Sequence, residues 1–315
     1  MDFIGIGIQF ILLIVGFVLL IKGSDFFVDG SSNIASILKI PTLIVGLTIV
    51  AFGTSAPEAA VSITSSLSGN NALAVSNVIG SNLFNMMLII GLCALLRELK
   101  IGRDVLNKDL PFLVVITAIL SGFIIIGWSI SRVEGIILFL LIIGYVSYLV
   151  YSAKNTKEAQ IVEKPKMSLL RSIIYIVGGV AGIIIGADFV VDSASYIAIA
   201  FGMSETLVGL TIVAIGTSLP ELVTSLTALK KEENQLIIGN VIGSNIFNIL
   251  FVLGASSIIS PITINPNMIV DIALMLGVTI LFFIFGKTQD KYDKKEGFIL
   301  VALFIAYMAF AIMRN

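Results

Sequence analysis

Long apolar stretches separated by short polar ones dominate the chain. They lie near 3–22, 41–67, 76–96, 109–128, 133–152, 169–190, 204–229, 236–258, 268–286 and 296–313. A helix needs roughly 20 apolar residues to cross about 30 Å of hydrocarbon, so the pattern predicts ten transmembrane helices. Two of the stretches carry a glutamate deep inside them, VGLTIVAFGTSAPE (45–58) and VGLTIVAIGTSLPE (208–221). An ionisable group at membrane depth costs roughly 3 kcal/mol or more, and keeping it there points to an ion site.

The two glutamate segments are near copies. Glu221 follows Glu58 by 163 positions (221 − 58), and NVIGSNIFN (240–248) follows NVIGSNLFN (77–85) at the same offset. GADFVVDS (186–193) repeats GSDFFVDG (23–30), and EGFILVALFIAY (296–307) resembles EGIILFLLIIGY (134–145) after a one-residue slip. The chain therefore divides into a five-helix unit at 1–152 holding the motif 45–85, a polar linker at 153–167 too short for a folded domain, and a second five-helix unit at 168–315 holding the motif 208–248. Five is odd, so the second unit enters the membrane from the opposite side. The expected fold is an all-α polytopic membrane protein of ten helices arranged as two inverted-topology repeats.

With the N-terminus outside, only Arg132 and Arg314 of the 19 Lys and Arg residues fall on the outer side. Positive charge is retained in cytoplasmic loops, so both termini are expected to be extracytoplasmic. Residues 3–22 have neither a basic leader nor an A-x-A cleavage site and read as a retained helix.

Composition agrees and excludes other classes. A hydrophobic share of 57% with 12% charged residues, and a mean hydropathy of +1.08, exceed what a soluble core encloses. The net charge of −1 offers no basic surface for nucleic acid, and the lack of histidine rules out Ser-His-Asp triads, His-ligated zinc and histidine proton relays. No nucleophile–base pair is apparent, so an enzyme is not expected. The lone Cys93 lies in an apolar run and reads as a small core residue.

The repeated motifs carry the chemistry. Thr48, Ala51, Ser55, Glu58 and Ser62 recur at spacings of three and four along one helix face, as do Thr211, Ala214, Ser218, Glu221 and Ser225. Pro57 and Pro220 lack an N–H, which should release carbonyls around 51–54 and 214–217, and Gly53 and Gly216 let the backbone bend there. Non-helical backbone at this depth is tolerated where it lines a cavity. Carbonyls, hydroxyls and a carboxylate converging there make the hard oxygen site that Na⁺ and Ca²⁺ prefer. Asn77, Ser81 and Asn85, and Asn240, Ser244 and Asn248, form facing stripes, with Gly80 and Gly243 permitting close approach. Asn82 and Asn245 fall off the stripe and read as packing. Asp25, Asp29, Asp188 and Asp192 read as solvated carboxylates at helix ends, and Glu134, Asp271 and Glu296 as helix-start residues favoured by the dipole.

GTSAPE with GSNLFN, and GTSLPE with GSNIFN, resemble the two α-repeats of the Ca²⁺/cation antiporter superfamily, most nearly its prokaryotic sodium/calcium exchangers. The resemblance implies that Glu58 and Glu221 bind Ca²⁺ or Na⁺ in exchange, helped by Thr54, Thr217 and the carbonyls of Ala51 and Ala214. It further implies that Ser81 and Ser244 serve outlying Na⁺ sites and that Asn85 and Asn248 line the centre; Ser55 and Ser218 join them from the stripe. Some relatives carry Asp where this chain has Asn248, which removes one charged group.

The expected activity is Na⁺/Ca²⁺ antiport by alternating access, in the direction of Ca²⁺ extrusion. Ca²⁺ and Na⁺ are the transported ions, no cofactor is needed, and no protein partner is evident beyond the bilayer. A Ca²⁺/H⁺ antiporter of the same fold, a Ca²⁺-selective channel and a non-transporting sensor are the alternatives.

Overall fold

The computed structural model describes residues 3–69, 71–155, 165–203 and 214–314. The apolar runs form α1 (Phe3–Leu38), α2 (Thr42–Thr54), α3 (Ala56–Leu67), α4 (Leu73–Leu96), α5 (Val105–Gly127) and α6 (Arg132–Asn155). The second half contributes α7 (Leu169–Ala200), the short α8 (Ala214–Gly216), α9 (Leu219–Lys230), α10 (Asn234–Ile259), α11 (Ile269–Gln289) and α12 (Lys294–Arg314). Among the described residues eight helices are long and apolar enough to span a bilayer, and α2 with α3 makes a ninth span bent by 49°. The protein is thus a multi-pass, mostly helical membrane protein. Residues 204–213 of the expected seventh span, Thr211 among them, and 156–164 of the linker lie outside the described residues.

Two expected helix ends are corrected. The first and sixth spans do not stop at 22 and 190 but continue to Leu38 and Ala200. Lys22 and Asp29 are exposed and Asp25 half-buried, so they interrupt the apolar run without interrupting the helix. Asp25 and Asp29 are therefore mid-helix residues, and Lys231 Nζ reaches Asp29 Oδ1 at 2.7 Å and Asp25 Oδ1 at 3.6 Å.

The duplication is written into the backbone. Every described residue with positive φ has a counterpart: Lys39 with Gly202, Gly69 with Glu232, and Trp128 with Asp290. Strand β1 (Leu99–Lys100) pairs antiparallel with β4 (Lys291–Tyr292), and β2 (Ser129–Ile130) pairs with β3 (Ile262–Thr263) in the equivalent way. Helices α6 and α12 start with matching capping boxes. Ser131 N–H donates to Glu134 Oε2 at 2.7 Å, and Asp293 N–H donates to Glu296 Oε2 at 3.1 Å. The N–H groups of Glu296 and Lys295 hold the Asp293 carboxyl below its ordinary pKa.

The one-residue slip between the halves also has a location. Leu99 and Ile262 correspond at an offset of 163, whereas Asp109 and Asp271 correspond at 162. Between them Val105–Asp109 is π-helical, a turn that accommodates one extra residue without breaking the helix.

Packing separates an outer helix pair from a polar core. Helices α1 and α7 lie antiparallel with glycines in register. A Cβ on Gly16 would meet Gly186 O at 2.9 Å, one on Gly23 would meet Gly179 O at 2.8 Å, and one on Gly30 would meet Ser172 O at 2.8 Å. Only small residues let two backbones approach so closely. Inside, α2 crosses α10 backbone to backbone, since a Cβ on Gly243 would lie 2.7 Å from Ala51 Cβ and 2.8 Å from Leu47 Cα. Gly243 thus makes the expected close approach, while Gly80 meets nothing within 4 Å among the described residues. Cys93 is fully buried, as its apolar run suggests.

Candidate functional site

The bend between α2 and α3 sets the site. The chain leaves helical geometry at Ser55 (φ −83°, ψ 9°), and Pro57 follows in the first turn of α3. Ser218 (φ −94°, ψ 6°) and Pro220 do the same before α9. Each bend places its glutamate in the first turn of the following helix, where the backbone N–H groups favour negative charge. Glu58 and Glu221 are both 0% exposed.

One expectation about this bend needs correction. Ser55 N–H still donates to Ala51 O at 3.0 Å, so the Ala51 carbonyl is not released. Counting back four residues from Pro57, the carbonyl that loses its helical donor is that of Gly53. Ala51 O also lies 3.4 Å from Thr54 Oγ1. In the other half Ser218 N–H turns to Ile215 O at 3.1 Å instead of to Ala214, which opens α8.

The hydrogen bonds around the glutamates come in pairs that exchange the halves. Ser55 Oγ donates to Glu221 Oε1 at 2.8 Å, and Ser218 Oγ donates to Glu58 Oε1 at 3.2 Å. Ser81 Oγ also reaches Glu58 Oε1, at 3.3 Å, while Thr54 and Ser244 are hydroxyl neighbours of Glu221. Thr54 Oγ1 donates to Asn240 Oδ1 at 3.1 Å, and Thr217 Oγ1 donates to Asn77 Oδ1 at 3.4 Å. Asn77 and Asn240 are tied back in turn, their amides donating to Ser62 Oγ at 3.0 Å and Ser225 Oγ at 3.2 Å.

A second layer joins α4 to α10. Asn85 Nδ2 donates to Asn245 Oδ1 at 3.1 Å, and Asn248 Nδ2 donates to Asn82 Oδ1 at 3.2 Å. Asn82 and Asn245 are therefore more than packing residues: they turn the amides of Asn85 and Asn248 so that each presents its oxygen elsewhere. Sequence reasoning missed this because helical spacing puts Asn82 and Asn245 off the stripe. The signal available was the repetition of both asparagines in GSNLFN and GSNIFN.

Among the described residues the buried oxygens without a hydrogen-bond partner are mostly scattered hydroxyls, but they include two carboxylate and two amide oxygens of the repeated motifs, Glu58 Oε2, Glu221 Oε2, Asn85 Oδ1 and Asn248 Oδ1, with Ser244 Oγ beside them. Buried acceptors are ordinarily satisfied, so carboxylate and amide oxygens orphaned in matched pairs, one of each pair in either motif, mark a ligand site. Among the described residues no three His, Cys, Asp or Glu side chains gather at one point. Any cation here meets two carboxylates and neutral oxygens, a donor set suited to Ca²⁺ or Na⁺ and not to zinc. The structure thus brings together Thr54, Ser55, Glu58, Ser81 and Asn85 with Thr217, Ser218, Glu221, Ser244 and Asn248.

A family model described as sodium/calcium exchanger protein matches residues 8–152 and 171–313. The chain belongs to the sodium/calcium exchanger family. Within it, the inner membrane protein YrbG of Escherichia coli is 36% identical over 95% of both chains. The sodium/calcium exchanger MaX1 of Methanosarcina acetivorans is 30% identical over 96% of this chain and 98% of its own. A solved structure of the sodium-calcium exchanger NCX_Mj soaked with Na⁺ and Sr²⁺ superposes with a TM-score of 0.87 at 30% identity, covering 96% of this chain and 99% of that one. As an exchanger family member of matching fold, the chain is a transporter and not an enzyme.

Proposed function

We propose that the protein is a secondary active antiporter exchanging Na⁺ for Ca²⁺ by alternating access, with Glu58 and Glu221 as the shared charged ligands. The observation that carries this is the matched set of four unpartnered carboxylate and amide oxygens in the two motifs, two from each half. Around them Thr54, Thr217, Ser55, Ser218, Ser81, Ser244 and the carbonyls of Ala51 and Ala214 complete the oxygen cage. Two carboxylates balance one Ca²⁺ or more than one Na⁺, so the two ions compete. An empty pair of carboxylates is too costly to carry across a dry barrier, and this makes transport an exchange. With an inward Na⁺ gradient the cycle extrudes Ca²⁺.

The full architecture in this reading is ten helices in two inverted repeats, 1–152 and 168–315, joined by the linker 153–167. Antiparallel packing of α1 on α7, each the first helix of its unit, supports the inversion. Both termini are extracytoplasmic. In support, the segments assigned to the cytoplasm meet one another: Arg97 Nη2 lies 2.8 Å from Glu232 Oε1 and Lys291 Nζ lies 2.8 Å from Glu98 Oε2. The paired strands β2 and β3 lie among the segments assigned to the outside. The α1–α7 pair, sliding across the core, exchanges the exposure of the site.

Vesicles containing the protein, loaded with Na⁺ and diluted into Na⁺-free medium with labelled Ca²⁺, should accumulate Ca²⁺. Uptake indifferent to the Na⁺ gradient, or driven equally by a pH gradient alone, contradicts the proposal. Unitary currents far above carrier turnover would assign the protein to channels.

A further inference from the structure

The duplication repeats a second buried carboxylate, away from the ion site. Asp109 at the start of α5 accepts a hydrogen bond from Tyr145 Oη at 2.9 Å. Its counterpart at an offset of 162 is Asp271, neighboured by Tyr307, the counterpart of Tyr145. Asp109 is 4% exposed and Asp271 is 7% exposed.

The two carboxylates differ in what faces them. In the second half Arg314 Nη2 donates to Asp271 Oδ2 at 2.8 Å, with its guanidinium carbon 5.2 Å from the centre of the Phe310 ring. Ser152 stands at the position equivalent to Arg314, and it lines with Asp109 a cavity of about 400 Å³. That volume is in the range of small-molecule sites. In the second half a cation bonds this carboxylate directly, whereas beside Asp109 the neighbouring Lys108 is held by Asp104 at 2.7 Å, which leaves room for another cation.

The cavity has a head and a tail. Its charged lining is Arg103, Lys108, Asp104 and Asp109, two of each sign. Lys108 Nζ and Asp104 Oδ1 pair with each other at 2.7 Å, while Arg103 has no ion-pair partner among the described residues. A second cavity of about 390 Å³ shares Lys108, Asp109 and Tyr148 and continues past Phe112, Leu141 and Leu140, which are apolar. From Ser152 to Leu140 the distance along α6 is roughly 18 Å at 1.5 Å per residue, running from the helix end into the hydrocarbon.

We propose that the two adjacent cavities together hold one aminophospholipid of the phosphatidylethanolamine kind. Its ammonium lies against Asp109, where Arg314 lies in the other half, its phosphate meets Arg103, and an acyl chain follows the groove between α5 and α6. An anionic headgroup would face two carboxylates, and a simple cation would face Arg103 and Lys108. Only a zwitterion complements both. The headgroup cavity also touches Ile44 and Leu47 of α2 and Gln235 of α10. The bound lipid would therefore brace the helix that leads to Thr54 and Ser55.

Native mass spectrometry of the purified full chain, with phosphatidylethanolamine, phosphatidylcholine or phosphatidylglycerol added, tests this. The choline headgroup has no N–H to donate, so the ethanolamine lipid should be retained at least about tenfold better than either other lipid, as expected for one charge-assisted hydrogen bond. Ser152→Arg, which transplants the second half's arrangement, should abolish that preference. Arg103→Ala should weaken retention of all three phospholipids about tenfold, and this arm decides the matter if Ser152→Arg does not fold. Equal retention of the ethanolamine and choline lipids, a preference for the glycerol lipid, an unchanged preference in Ser152→Arg, or unchanged retention in Arg103→Ala each overturns the proposal.

Discussion

Helices α4 and α10 are buried over 78% and 94% of their most apolar stretches, whereas α1 and α7 are buried over only 17% and 28%. Yet the exposed pair is the more apolar, with mean hydropathies of 2.4 and 2.2 against 2.0 for each buried helix. In a bilayer the solvent is hydrocarbon, so polar residues turn inward and this lipid-facing pair is more apolar than the inner one. The two pairs also hold together differently. The inner pair is joined by asparagine amides with named partners, which fix one arrangement. The outer pair meets through α1 glycines spaced every seven residues, a smooth contact whose buried side-chain hydrogen bond, Asn33 Nδ2 to Ser172 Oγ at 2.7 Å, lies at one end. In the proposed cycle the inner pair holds the ions and the outer pair moves.

The sharpest test of the inner half of this comparison is removal of its charge. Glu58→Gln or Glu221→Gln should lower Ca²⁺ flux at least roughly 100-fold while leaving the melting temperature equal or higher, because a buried uncompensated charge is removed. A fall in flux with a matching fall in melting temperature would mean that the glutamates hold the fold and not the ions. The glycines test the division of labour. Gly243→Ala presses a methyl onto Ala51 and Leu47 and should cost about 1–3 kcal/mol of stability. Gly23→Ala presses one onto Gly179 O and should slow exchange about tenfold with Ca²⁺ affinity retained. If Gly23→Ala leaves the rate untouched, the outer pair is a static wall.

Smaller effects refine the picture. Asn245→Ala strands the Asn85 amide and should destabilise by about 1–3 kcal/mol, weakening Ca²⁺ binding less than either glutamate substitution does; an unchanged melting curve would return Asn245 to mere packing. Lys231→Ala removes partly exposed ion pairs to Asp25 and Asp29 and should change stability by less than about 1 kcal/mol. A large loss there would show that α1 is anchored to α9 and not free to slide.

The sequence made the site legible and the helix ends only partly so. The gathering of Glu58, Glu221 and their serines and threonines was readable because duplication at one offset sets these positions apart from the rest of each helix. The lengths of α1 and α7 were not, because a lipid-facing helix that carries Lys22 and Asp25 on one side looks, in a linear reading, like a helix that has ended. Asn82 and Asn245 were misread because their partners lie on the other repeat, which no spacing within one helix reveals. The helical donor is lost at Gly53 and not at Ala51, because the missing N–H of Pro57 acts four residues back. The slip between repeats gained a physical cause only when the π-helical turn at Val105–Asp109 was seen.

The central claim is that Na⁺ and Ca²⁺ occupy the same oxygens. Equilibrium binding of labelled Ca²⁺ to the purified protein, measured across a Na⁺ titration, tests it most directly. Na⁺ should displace Ca²⁺ completely and with a slope steeper than one for one, and Glu58→Gln should bind no Ca²⁺ over the same range. Ca²⁺ that stays bound at saturating Na⁺, or binds Glu58→Gln as well as the parent protein, would contradict it.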